Sequence, residues 1–264
     1  MSTPRLSVIG DPIGHSKSPQ IHAQFAQDTG ISLDYTKTLV TASELEDYLQ
    51  QFFAAGGTGL NVTVPHKEAV WRWCQHLTER AQAAGAVNTL YRDGDRIVGD
   101  NTDGAGLVDD LLRQGVVLTD TRVLLLGAGG AARGALLPLV QAGARVTLYN
   151  RTEQRARQLI EDLGAGRLLR PDDASFDLVI SASSAGLTAD SVKLPQAWFH
   201  AQTFAYDMIY SDQETAFMQA ARQAGAGACS DGLGMLVGQA ARAFQRWFGV
   251  LPPTKAVFDQ LRKD

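Results

Sequence analysis

The stretch TRVLLLGAGGAA (121–132) decides the fold. Thr121 to Leu126 is a continuous apolar run, the pattern of a strand in a parallel sheet covered on both faces. It enters Gly127-Ala128-Gly129-Gly130-Ala131-Ala132 and then a helical pattern to about Gln141, followed by a strand at Arg145 to Tyr149. Strand, G-x-G-x-x-A turn and helix in this order form a dinucleotide fingerprint. The glycines make a tight turn that lets backbone N–H groups approach a pyrophosphate, and the helix N-terminus adds its positive dipole end. Gly127, Ala128, Gly129, Gly130 and Ala131 are therefore candidate cofactor contacts.

The end of the next strand bears on which dinucleotide fits. NAD sites usually carry an Asp or Glu there, accepting from the ribose 2′-OH. This chain has Asn150-Arg151-Thr152, with Arg155 one turn later. A guanidinium and a hydroxyl suit a 2′-phosphate, and no carboxylate sits at the strand end to repel it. Thr152 can also cap its helix, which is compatible with phosphate binding.

Around this core the rest of the chain alternates short apolar runs with helical patterns, the rhythm of βαβ units. Strands are predicted at Leu6–Gly10, Tyr35–Val40, Gly59–Val64, Ala86–Tyr91, Arg96–Gly99, Asp177–Ala182 and Thr203–Asp207. Ser18 is expected to cap a helix that opens with Pro19. Ser43 with Glu46, and Ser211 with Glu214, match the capping-box pattern. The fold class is α/β with two domains, the first ending near residue 102 and a Rossmann-type doubly wound nucleotide domain following to about 232. The last two helices, near Gly234–Phe248 and Pro253–Lys263, could pack on either.

With 264 residues, 45% hydrophobic and 20% charged, the chain has the composition of an ordinary globular protein. A formal net charge of -4 gives no electrostatic case for nucleic acid or an anionic membrane as partner. Cys74 and Cys229 lie in no metal-like spacing, and no metal site is expected. There is no apolar signal core at the start and no run of membrane-spanning length, so the cytoplasm is the expected compartment.

The first domain concentrates small polar residues beside strand ends. In Asn61-Val62-Thr63-Val64 the period of two puts Asn61 and Thr63 on one face, able to line a cleft, while both valines enter the core. Lys67 follows Pro65 closely, placed to aim an ammonium at that cleft; on base rate alone it would be a solvated charge. Ser16 and Ser18 flank Lys17 at a predicted helix start, a natural seat for a carboxylate. Asn88 and Asp100-Asn101-Thr102-Asp103 form a further polar cluster. On the last long helix Leu236, Ala240, Ala243 and Trp247 make an apolar stripe, with Gln239 on the same face. A buried glutamine needs partners, either backbone or a polar ligand.

Eight segments taken together resemble the shikimate dehydrogenase family: GDPIGHSKSP (10–19), GLNVTVPHK (59–67), GAVNTL (85–90), GDNTDGAG (99–106), GAGGAARG (127–134), NRT (150–152), YDMIY (206–210) and DGLGMLVGQAARAF (231–244). The resemblance implies a two-domain enzyme whose C-terminal helices complete the substrate domain (1–102 plus 233–264), with 103–232 binding NADP. It implies reversible reduction of 3-dehydroshikimate to shikimate with NADPH, by a monomer or homodimer. By the same resemblance Lys67 and Asp103 are the catalytic pair, and Ser16, Ser18, Thr63, Asn88, Tyr210 and Gln239 join them as substrate ligands. Asn150, Arg151, Thr152, Glu153, Gln154, Arg155, Met208 and Gly232 join the glycine loop at NADP, with Glu79 a further candidate. The chain departs from the family at Ser181 and Ser183, where Asn and Thr are usual beside the nicotinamide, and it lacks the proline common soon after Tyr210.

A lysine within hydrogen-bond reach of the C3 oxygen can give and take the proton that hydride transfer requires, with Asp103 chiefly orienting it. Two other readings remain at this point. One is a quinate/shikimate dehydrogenase of relaxed specificity, which Arg151 argues against where NAD is preferred. The other is a non-catalytic sensor of shikimate-like acids, which would not need Lys67 and Asp103 together.

Overall fold

The structure is a computed structural model that describes residues 3–182 and 193–263; Ser183 therefore lies outside the described residues. The chain folds as two compact units, residues 1–102 with 237–264, and residues 103–236.

The first unit opens with β1 (Arg5–Gly10), α1 (Ser18–Thr29), β2 (Asp34–Leu39), α2 (Leu45–Ala54) and β3 (Gly59–Val62). Next come α3 (Lys67–Trp73), β4 (His76–Leu77), α4 (Glu79–Ala84), β5 (Thr89–Asp93) and β6 (Arg96–Asp100). Its sheet runs β2-β1-β3-β5-β6-β4, parallel from β2 through β3 and antiparallel across β5 and β6. β1 is central among the parallel strands, and five of its six residues are buried, as its apolar run requires. Ile9, Leu49, Leu60, Val70 and Leu90 are fully buried at the heart of this unit.

The second unit contains α5 (Asp103–Arg113), β7 (Arg122–Leu126), α6 (Gly130–Gln141), β8 (Arg145–Tyr149), α7 (Glu153–Leu163) and β9 (Arg167–Leu168). It continues with β10 (Leu178–Ser181), β11 (Phe204–Asp207), α8 (Ala216–Gln223) and β12 (Ala228–Ser230). The sheet order is β12-β11-β10-β7-β8-β9, and every pairing is parallel. Along β7 the side chains alternate between two apolar layers: Val123 and Leu125 enter one core, Leu124 and Leu126 the other. Successive strands run outward one way from β7 and then the other way from β10. The crevice at the carboxyl ends of those two strands is the ligand position of such sheets.

Helix α9 (Leu233–Phe248) begins in the second unit and continues into the first, where α10 (Lys255–Leu261) follows. Trp247 Nε1 donates to Leu90 O at 3.0 Å. The ring lies so close to Gly59 that a Cβ there would come within 2.2 Å of Nε1, so the position requires glycine. No helix among the described residues is long and apolar enough to cross a membrane.

Several local expectations need correction. Helix α1 starts at Ser18, with Lys17 as its N-cap and no side-chain cap bond; it is the Ser16 hydroxyl that accepts from Ser18 N, at 3.3 Å. Before α2 the pair that forms is Thr41 with Glu44, not Ser43 with Glu46: Glu44 is the N-cap without a side-chain cap bond, and its Oε2 accepts from Thr41 N at 3.2 Å and from Thr41 Oγ1 at 2.6 Å. Both pairs fit the same four-residue pattern, and the Thr41 hydroxyl also lies 3.1 Å from that of Ser43. Ser211 and Glu214 likewise yield to Thr215, whose hydroxyl caps α8 at Met218 N, while Glu214 binds Arg222. β3 ends at Val62, so alternation stops there. Val62 is buried, but Val64 points outward at 67% exposure as the chain turns into Pro65.

Candidate active site

In the first unit Asn61, Asn88, Thr102 and Gln239, among the predicted polar residues, converge on one network. Asn88 is 2% exposed, and its Oδ1 accepts from Thr89 Oγ1 at 2.8 Å and from Thr102 N at 2.9 Å. A backbone N–H can only donate, which fixes the amide so that Nδ2 faces the other way. That nitrogen donates to Gln239 Oε1 at 3.3 Å, so two amides far apart in sequence meet. Asn61 sits beneath: its Nδ2 donates to Asn88 O and to Thr89 Oγ1, both at 3.2 Å. Tyr35 Oη donates to Asn61 Oδ1 at 2.7 Å.

The strand ends around this network are pinned. His66 is buried, and its Nε2 donates to Val40 O at 2.7 Å, immediately before Lys67 begins α3. Lys67 O accepts from Val87 N at 2.9 Å, tying α3 to the segment that carries Asn88. Thr63 is half-buried, and a Cβ on Gly10 would lie 2.6 Å from its methyl group. Burial opposes ionisation of Asp100, but hydrogen bonds and charge from Arg80, a bond from Thr78 and the charge of Arg246 outweigh it and hold its carboxyl below the usual range. This anchored aspartate fixes the start of the run that leads through Thr102 to Asp103. Glu79 is exposed in the first turn of α4, where a carboxylate suits the helix N-terminus.

The second unit offers a different surface. Gly129 is the N-cap of α6 with no side-chain cap bond and no acidic residue in the first turn, and a Cβ on Gly129 or Gly130 would meet nothing within 4 Å. The open space beside uncapped N–H groups is a cradle for a phosphate-bearing ligand. Asn150, at the end of β8, is half-buried, while Arg151, Thr152, Glu153, Gln154 and Arg155 are all exposed. Asn150 Nδ2 donates to Thr152 O at 2.8 Å, shaping this turn. Thr152 is the N-cap of α7 but makes no side-chain cap bond. These residues fit a dinucleotide with a 2′-phosphate.

Past the strand ends, Met208 N donates to Ser181 O at 3.0 Å, and a Cβ on Gly232 would lie 2.4 Å from Met208 O. Ser181, Met208 and Gly232 are thereby brought together. Asp231 steadies the same loops, accepting from Ser211 N at 3.1 Å and Leu233 N at 3.3 Å. Burial first, then the charge of Asp231 nearby, pushes the Asp207 carboxyl upward against the pull of Thr215, Ile209 N and Ser181. Tyr210 is half-buried, and burial, with the charge of Asp212, raises its hydroxyl pKa. Asp103 opens α5 as the acidic residue of its first turn. Among the described residues no group of His, Cys, Asp or Glu could hold a metal ion.

Residues 8–90 match the family described as the shikimate dehydrogenase substrate binding domain, 110–192 match shikimate / quinate 5-dehydrogenase, and 232–262 match the shikimate 5'-dehydrogenase C-terminal domain. A shikimate dehydrogenase (NADP(+)) of Hahella chejuensis is 46% identical over 97% of this chain and 98% of its own. The chain belongs to the shikimate dehydrogenase family. Among solved structures, an Ael1 enzyme from Pseudomonas putida is 42% identical with a TM-score of 0.91, covering 98% of each chain. The shikimate 5-dehydrogenase of Thermus thermophilus, solved in complex with NADP(H) and shikimate, is 33% identical with a TM-score of 0.88 over 99% of each chain. The mixed first sheet and the parallel second one are thus the family's own architecture.

Asn61, Asn88, Lys67 and Gln239 are legible along the chain, whereas Tyr35, Thr89 and His66 are not. Those three look like ordinary strand and turn residues until β1, β2, β3 and β5 are side by side.

Proposed function

We propose that the protein interconverts 3-dehydroshikimate and shikimate with NADP(H), using Lys67 as general acid/base and Asp103 to orient it. The observation that carries this reading is the fixed amide pair of Asn88 and Gln239, within a hydroxyl-rich network that has no evident need to be polar unless it serves a polyhydroxylated ligand. Ser16 and Ser18, at a helix start without an acidic residue, suit the substrate carboxylate. Thr63 and Tyr210 complete the set of substrate contacts.

The family's chemistry is NADP-dependent oxidoreduction. NADP(H), when bound, supplies or takes up the hydride; the glycine loop with Arg151, Thr152 and Arg155 would hold its phosphates, and Met208 and Gly232 the nicotinamide end. The remaining requirement falls on the protein: a proton must reach or leave the substrate C3 oxygen. The Lys67 ammonium donates it in reduction, and the amine accepts it in oxidation. The Asp103 carboxylate holds the ammonium toward that oxygen. In this reading the enzyme acts on a small molecule in the cytoplasm, as a monomer or homodimer, without nucleic acid or membrane.

A spectrophotometric assay decides the matter. Shikimate with NADP should give NADPH, while quinate, or NAD in place of NADP, should give at least tenfold less. Binding of shikimate without any absorbance change would leave a sensor in place of an enzyme, and comparable rates with quinate would leave a relaxed dehydrogenase.

A further inference from the structure

We propose that Tyr35 is a positioning residue for substrate, tying the serine-bearing start of α1 to the amide pair of Asn88 and Gln239. The inference rests on the substrate reading above and adds a residue to it. Tyr35 lies on β2, which carries none of the residues assigned to substrate so far. Its hydroxyl donates to Asn61 Oδ1 at 2.7 Å and has the Ser18 hydroxyl as its second hydrogen-bonding neighbour. Asn61 and Ser18 are both buried, so the single oxygen of Tyr35 sits where the two polar clusters join.

The consequence for Asn61 is directional. An amide can turn over and exchange its oxygen for its nitrogen at little cost unless a neighbour tells the two apart. The carbonyl Asn88 O can only accept, so it takes the Asn61 nitrogen and leaves the Asn61 oxygen toward Tyr35, whose hydroxyl donates to it and holds the amide in place. Thr89 Oγ1, receiving from Asn61, spends its own proton on Asn88 Oδ1. Asn88 then presents its nitrogen to Gln239. Backbone groups set this polarity, Asn88 O for Asn61 and Thr102 N for Asn88, and the tyrosine hydroxyl holds the chain at its outer end, next to Ser18.

The ring is itself held in place. His22 stacks on it with centroids 4.3 Å apart and planes 16° apart, and Trp247 lies 6.2 Å away. His22 is fully buried against this ring, with Asn61 as a side-chain neighbour. Removing the hydroxyl leaves this stack intact, so Tyr35→Phe isolates the hydrogen bonds from the packing.

Steady-state kinetics on Tyr35→Phe test the idea. Losing a donor to a buried acceptor should raise the shikimate KM by about five- to tenfold, with kcat within about threefold and the NADP KM unchanged. In an Asn61→Ala background the same change should have less than about a twofold effect, because Tyr35 acts through Asn61. An unchanged shikimate KM in Tyr35→Phe, an equal rise in both KM values, or full additivity with Asn61→Ala would each overturn the proposal while leaving the shikimate reading standing. Absence of shikimate-dependent NADPH formation by the unsubstituted enzyme would overturn both. Direct titration of shikimate into Tyr35→Phe, with its melting temperature measured alongside, keeps the test valid if turnover is too slow to measure.

Discussion

The two sheets present their candidate ligand groups by opposite means. In the mixed sheet of the first unit the candidate groups are side chains that are buried and saturated by one another: Asn88, Thr89 and Thr102 are each no more than 2% exposed. In the parallel sheet of the second unit they are backbone N–H groups and exposed side chains facing open space, at Gly129, Gly130 and Arg151. A side-chain network must be assembled from remote segments, and each member depends on the others. A strand–glycine–helix turn is local and works as soon as the backbone is formed. Damage to the first should therefore spread into stability and substrate binding, whereas damage to the second should stay confined to the cofactor.

The largest expected effect is at Lys67, where Lys67→Ala should lower kcat by about 10²–10⁴ with a modest change in substrate affinity. Near-normal turnover would remove it from the chemistry. Next comes Arg151→Ala, which should raise the NADP KM by roughly ten- to thirtyfold, narrow the preference for NADP over NAD, and leave the shikimate KM alone. A parallel rise in the shikimate KM would erase the contrast between the units.

His22 supplies a pH test of the first unit alone. Burial lowers its pKa from 6.5 to about 3, so between those values the unfolded chain binds the proton and the folded one does not. Stability from this group is thus present above pH 6.5 and falls as the pH drops toward about 3, by at most about 1.4 kcal/mol per pH unit. Denaturant titrations across this range should show a shallower decline for His22→Phe, which keeps a stacked ring; equal slopes would show that the imidazole is not what titrates. The smallest effect is at Gly129, whose φ of -92 suits any residue and whose Cβ would meet no protein atom. Gly129→Ala should leave the melting temperature within about a degree and raise the NADP KM only several-fold. A large loss of stability there would mean that the loop is held by packing after all.

The same contrast explains what the sequence made legible. The run from Thr121 to Ala132 names its own structure, because strand period, glycine spacing and helix start are all local signals. Arg151 could be read for the same reason. Asn61, Asn88 and Gln239 stood out as polar residues on apolar patterns, yet nothing in their spacing said that Asn88 would face Gln239 rather than backbone. Tyr35 was invisible, since a tyrosine in a strand is ordinary and its meaning comes from two other segments. The misplaced capping boxes at Ser43 and Ser211 show the limit in small: near Ser43 the same four-residue pattern recurs two residues earlier, and near Ser211 the helix is capped by Thr215, four residues on.

One feature of the architecture reaches into biosynthesis. Helix α9 returns to the first unit only after residues 103–236 have formed the second. It brings Trp247 against Gly59 and Leu90, and Phe244 against Phe25 and His22. On the ribosome the substrate half emerges first but lacks these aromatics until the last helices appear, while the nucleotide half is uninterrupted in sequence and can fold as it is made. The half begun first is finished last: a nascent chain halted near residue 236 would hold the whole second unit but leave the first without the aromatics of α9.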